Sequence, residues 1–216
     1  MKQFIFVVFL LFLFLSSCTK RLKTGDLLFQ NLDCGGFCEA IEAVTPAYKG
    51  KYFSHVGIVV EIDGQIKVLE AVSKGVVITD LNDFLKRTNF EDIYVGRIKK
   101  NIDLKLISIT ELDKYIGKPY DTIFSIENNA YYCSELVYFL FRNTENKPIF
   151  ELKPMTFKKP RENNFFELWE DYFGKMNVKI PEGQLGINPG QIINCKLLDI
   201  SNLPLKYLSM CKNAKN

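Results

Sequence analysis

The chain has one histidine and one tryptophan among its 216 residues, and only six cysteines. A lone histidine excludes a histidine-rich metal site, and any imidazole-dependent chemistry must run through His55. The formal net charge is +3 with lysines scattered over the chain, so there is no basic stripe and nucleic acid is not an expected partner. The sequence has no internal repeat, low-complexity tract or interdomain linker. Its one long apolar run, Phe4–Leu15, falls short of the roughly 20 residues that a bilayer span needs. With 47% hydrophobic and 25% charged residues, disorder is excluded, and a single domain over residues 24–216 is expected.

The apolar run follows Lys2 and precedes Ser16-Ser17-Cys18, the layout of an export signal. Leu15-Ser16-Ser17-Cys18 resembles the bacterial lipobox. That resemblance implies removal of residues 1–17 as a signal peptide, diacylglycerol on Cys18 and a short tether over 18–23. The chain would then be a lipoprotein of the bacterial cell envelope, facing the periplasm or exterior and touching the membrane through its anchor. A plain secretory signal is the alternative. Five cysteines remain, and an odd number leaves at least one thiol unpaired within the chain. Cys34 and Cys38 flank a Gly-Gly turn, where structural burial or a disulfide is expected and a tetrahedral zinc site is not.

Periodicity gives an α+β pattern, a hairpin-rich antiparallel sheet with helices packed to one side. Strands are expected at Leu27–Gln30, His55–Ile62, Gln65–Ala71, Val76–Thr79, Ile93–Ile98 and Gln191–Leu197. Helices are expected at Phe37–Val44, Leu81–Arg87 with Asp80 as cap, Leu104–Ile116, Cys133–Arg142 and Phe165–Phe173. Residues 143–188 form an irregular excursion that is expected to shape a substrate cleft.

Two residues carry the chemistry. Cys133 opens an apolar helix, where unpaired N–H groups and the helix dipole favour a thiolate. His55 opens the most strand-like segment, at a sheet edge that a helix N-terminus can approach. A Cys–His pair is the minimum for thiol-based nucleophilic catalysis, and a third group must orient the imidazole. Glu70 is the leading candidate. If Asp63-Gly64 makes a two-residue hairpin turn, Ile62 faces Gln65, Gly57 faces Glu70 and His55 faces Val72. Glu70 then stands diagonal to His55 on one face, at a backbone separation of about 7–8 Å that long side chains can close. Glu61 is the next candidate, farther along the strand.

The motifs Gly-Asp-Leu-Leu-Phe-Gln (25–30), Ser-His-Val-Gly-Ile-Val (54–59), Leu-Glu-Ala (69–71), Gly-Lys-Pro-Tyr-Asp (117–121) and Tyr-Tyr-Cys-Ser-Glu-Leu-Val (131–137) occur in that order. Together they resemble the YiiX/YebB-like branch of the NlpC-type cysteine peptidase superfamily, a circularly permuted branch in which His precedes Cys. The resemblance covers roughly residues 24–142. It implies a permuted papain-like fold, with an antiparallel half-barrel packed against the nucleophile helix. It further implies Cys133 as nucleophile, His55 as base and Glu70 as orienting group. The Cys133 N–H would serve the oxyanion, with Tyr120, Tyr132 and Gln30 in the substrate and oxyanion neighbourhood. No cofactor or metal is implied. The expected substrate is a small-molecule, lipid or peptide amide or ester, favoured as lipid-like or an acylated amino acid. Peptidoglycan peptide cleavage is a rival, weakened because the Asp-Cys-Ser-Gly motif of cell-wall enzymes is here Tyr-Cys-Ser-Glu. A non-catalytic binding lipoprotein of the same fold is the other.

Overall fold

The structure, a computed structural model, describes residues 21–105 and 107–211. Cys18, the expected signal peptide over 1–17 and residues 18–20 of the tether lie outside the described residues.

In chain order the elements are β1 (Leu27–Gln30), α1 (Gly36–Ala43), β2 (His55–Ile62), β3 (Gln65–Val72), β4 (Gly75–Asp80), α2 (Leu81–Leu85), β5 (Ile93–Ile98), α3 (Ile109–Leu112), α4 (Cys133–Leu140), β6 (Lys153–Pro154), α5 (Glu167–Lys175), β7 (Leu185–Gly186), α6 (Pro189–Ile193) and β8 (Leu198–Asn202). Six strands form one antiparallel sheet in the order β4-β3-β2-β1-β5-β8, and β6 pairs separately with β7.

The β2–β3 hairpin has the expected register, with Ile62 opposite Gln65 and Ile58 opposite Leu69. Asp63 and Gly64 both have positive φ, 51° and 74°, the backbone that a tight primed turn requires. β1 lies between β2 and β5, placing Gln30 opposite His55.

Alternation along the strands splits the core in two. Leu27, Phe29, Val56, Ile58, Leu69 and Ala71 pack with Leu136, Val137 and Phe141 of the α4 segment and with Trp169 and Phe173 of α5. Leu28, Val59, Val68 and Val95 face the other way, against Leu81, Phe84 and Leu85, and against Leu22, Leu203 and Tyr207. Helices therefore cover both faces of the sheet rather than one, because α2 folds directly back from β4 onto the second face.

Three expected elements differ. Among its described residues, the segment 104–116 contains only the short α3. Lys105 N–H donates to the Arg142 carbonyl, which holds the chain away from a helix. The helix starts instead where the Ser108 hydroxyl accepts from Glu111 N–H and the Glu111 carboxylate accepts from Ser108 N–H. The expected strand at Gln191–Leu197 is α6 followed by β8, since Asn188 Oδ1 accepts from Gln191 N–H at 2.7 Å and Pro189 opens the helix. Asp80 makes no side-chain cap on α2 and instead pairs with Lys67 at 2.8 Å.

Candidate active site

Cys133 is the first residue of α4 and is buried. The loop before it is organised by Asp121, whose carboxylate accepts from Ile123 N–H at 2.9 Å, Ser125 N–H at 2.6 Å and Asn128 Nδ2 at 3.0 Å. The residues beside Cys133 fasten it to Ile187: Ser134 Oγ donates to the Ile187 carbonyl at 2.8 Å, and the Tyr132 hydroxyl accepts from Ile187 N–H at 3.1 Å. The next residue, Glu135, accepts from Tyr132 N–H with Oε2, while its Oε1 is buried without a partner.

His55 and Cys133 stand close enough to shift each other's protonation, and the backbone N–H groups of Val56 and Ser134 favour negative charge on the sulfur. On its other side, His55 Nε2 lies 2.7 Å from Glu70 Oε2, so Nδ1 is the ring nitrogen left for the thiol. Glu70 is fully buried and also accepts from Thr79 Oγ1 at 2.5 Å and from both terminal nitrogens of Arg87 at 2.7 Å. Sequence reasoning identified Glu70 from the hairpin register but missed Thr79 and Arg87. Thr79 faces the same way across β4. Arg87 comes from the turn beyond α2, and no pattern in its neighbours signals it. Glu61 is exposed at the far end of β2.

Burial alone would push the Cys133 thiol up, but the neighbouring His55 outweighs it and holds the thiol below its ordinary value. Burial disfavours the imidazolium as well, yet the Cys133 and Glu70 partners raise His55 to about 9. Glu70, which burial would raise, is brought down to about 2 by His55, Arg87 and Thr79. Burial pushes Glu135 up to about 8, only partly opposed by Tyr132 N–H. These directions describe a thiolate–imidazolium–carboxylate row.

Cys133 opens onto a cleft of about 120 Å³. Ile41, Val44, Phe124, Phe157, Trp169 and Ile187 give it apolar walls, and Thr45, Ser54, Lys153, Asn188 and Gln191 a polar margin. Much of one wall, including Lys153 to Phe157 and Gly186 to Asn188, comes from the excursion between 143 and 188. Tyr120 and Tyr132 line the cleft beside Cys133. Gln30 does not. Its position on β1 turns it to the second face, where Nε2 donates to the Phe84 carbonyl at 2.9 Å and Oε1 is buried without a partner. Gln30 thus braces α2 behind His55 instead of reaching the oxyanion neighbourhood. Cys34 and Cys38 form a disulfide at the start of α1, and Cys195 and Cys211 are free thiols like Cys133.

A family described as permuted papain-like amidase enzyme, YaeF/YiiX, C92 family, matches residues 21–199. The chain belongs to this family. It has the permuted papain-like fold, and the family is described as one of amidase enzymes. Among curated proteins it is similar to YiiX of Escherichia coli strain K12, 30% identical over 125 residues, or 56% of this chain and 58% of that protein. The match therefore spans little more than half of that relative's length. Among solved structures it is similar to a crystal structure described as metalloprotein yiiX from Escherichia coli O157:H7. The TM-score is 0.61 at 24% identity, covering 83% of this chain and 96% of that one, a likeness of fold.

Proposed function

We propose that this amidase-family chain cleaves an amide or ester through Cys133 as nucleophile, His55 as acid and base, and Glu70 as the group that orients His55. The observation that carries the reading is His55 Nε2 held at 2.7 Å by the buried Glu70, with the buried Cys133 at the mouth of α4 as the group that His55 perturbs. The thiolate attacks the substrate carbonyl and a C–S bond forms. The oxyanion is received by Cys133 N–H at the helix N-terminus and by the Tyr120 hydroxyl, which burial and the nearby thiolate keep protonated. His55 gives its proton to the leaving amine or alcohol as the C–N or C–O bond breaks. Water then loses a proton to His55 and attacks the thioester, releasing the acid and restoring the thiolate.

The apolar walls suit a lipid-like acyl group or an acylated amino acid better than a charged cell-wall peptide. The solved relative is described as a metalloprotein. Among the described residues there is no group of three or more His, Cys, Asp or Glu side chains placed to hold a metal ion, and Glu70 is already engaged by Arg87. The site does not fit a metal, and no step runs through one.

Export and anchoring through Cys18 are part of this proposal, supported by the lipobox-like sequence and by the Cys34–Cys38 disulfide, which suits an oxidising compartment. Palmitate labelling that survives Cys18→Ser would sink the anchor. For the reaction, Cys133→Ala should abolish turnover of N-acyl amino acids, phospholipids and muropeptides alike, and also labelling by a thiol-directed acyl probe. Full activity in that variant refutes the mechanism, and muropeptide cleavage by the wild-type chain alone refutes the substrate class.

A further inference from the structure

The buried row does not end at Glu70. Counted as charged groups, the buried residues Cys133, His55 and Glu70 sum to one negative charge, and an unbalanced buried charge is costly. Arg87 supplies the balance. Its two terminal nitrogens fork onto the two carboxylate oxygens of Glu70, each at 2.7 Å. Its guanidinium lies 5.4 Å from the centre of the Phe84 ring, whose own centre is 5.8 Å from that of His55. One aromatic side chain thus supports both ends of the Arg87–Glu70–His55 contact.

We propose that Arg87 is a positioning residue for the reaction, fixing Glu70 against His55 and neutralising the buried row from its outer end. This rests on the Cys133–His55–Glu70 reading above. The charged groups that face Glu70 are His55 from β2 and Arg87 from beyond α2, with Cys133 on the far side of His55. The neighbouring pairs close on themselves nearer the surface: Lys67 with Asp80 at 2.8 Å, and Asp83 with Lys86 at 3.8 Å. A two-pronged fork sets an angle as well as a charge, which an ammonium cannot do. With Arg87 in place the carboxylate stays ionised through the whole working range. Without it, protonation of Glu70 moves up by about 1–3 pH units, as for a carboxylate losing an adjacent arginine.

The test is the rate of Cys133 alkylation by iodoacetamide as a function of pH, measured on the full chain for wild type, Arg87→Gln and Arg87→Lys. Wild type must first alkylate at Cys133 well below the pH of an ordinary thiol. If it does not, the Cys133–His55 reading fails and Arg87 falls with it. Given that reactivity, the ratio of the Gln variant's rate to the wild-type rate should fall about fourfold between pH 7.5 and pH 3.5, the fall expected if protonation of Glu70 moves up by about two units. Arg87→Lys should hold that ratio near the wild-type pH dependence while still reacting more slowly at every pH. A purely structural arginine would lower the rate by one factor throughout, and a flat ratio for Arg87→Gln overturns the inference while leaving the triad intact. Should the Gln variant fail to fold by circular dichroism, the Lys variant decides. A ratio that falls with acid despite the retained charge overturns the charge role.

Discussion

Gly57 leaves the space that Phe84 fills. A Cβ at residue 57 would lie 2.5 Å from Val68 Cγ1 and 2.8 Å from the Phe84 ring, distances that real side chains do not tolerate. Phe84 in turn rests against His55, so a hydrogen atom on β2 decides how closely α2 can press behind the imidazole.

Gly57→Ala should therefore act in two ways. Overpacking at this site should cost about 1–3 kcal/mol in denaturant unfolding. Displacing Phe84 should also slow Cys133 alkylation at neutral pH, by about tenfold, through a misaligned imidazole. A variant of wild-type stability and reactivity would mean that the Phe84 packing is irrelevant to the site.

The pH dependence of turnover follows from the ion pair. Activity should rise as Cys133 loses its proton below the ordinary thiol range, and decline as His55 loses its own near pH 9, when no acid is left for the leaving group. In Glu70→Gln the imidazolium loses a charged partner, so the alkaline limb should move down by about one unit or more. A profile limited by an ordinary thiol near pH 8.5 would exclude the ion pair.

Glu135 gives a stability signature of the opposite sense from Glu70. Its folded-state value, about 8, lies above the unfolded value near 4.3, so between these pH values the folded chain holds a proton that the unfolded chain releases. Stability should fall through that window by about 1.4 kcal/mol per pH unit from this group. Glu70, lowered to about 2, contributes stability above its unfolded value that is lost as pH falls toward 2. Glu135→Gln, which mimics the neutral acid, should gain in melting temperature over wild type as pH rises from 5 to 8. A constant difference across that range would place Glu135 among ordinary carboxylates.

The two halves of the site were unequally legible in sequence. His55 and Glu70 could be placed side by side because a two-residue turn fixes register and register fixes faces, while Cys133 joined them only through the helix-terminus argument and the family resemblance. The Asp of the Gly-Asp motif shows a limit: Asp26 is buried in a pair with Arg97 at 2.6 Å and braces β1 against β5, away from the cleft. Gln30 could not be placed because its outcome depends on which core claims that face of β1. Arg87 and Thr79 were invisible for a different reason, since their role is set by side-chain reach across elements and leaves no periodic trace. The segment 104–107 follows helical spacing, but a single tertiary hydrogen bond to Arg142 overrides so weak a preference. The Ser108-x-x-Glu111 box was the readable signal there, and Asn188-Pro189 marked the start of α6 in the same way.

Ile187 is gripped on its N–H by Tyr132 and on its carbonyl by Ser134, the two neighbours of the nucleophile. The wall that would recognise an acyl group and the sulfur that would attack it are thus mounted on one bracket. Substitutions in residues 185–188 selected for a different substrate should drag reactivity with them, and tuning of the thiol should reshape the wall. On this bracket, selectivity and speed should not be adjustable one at a time.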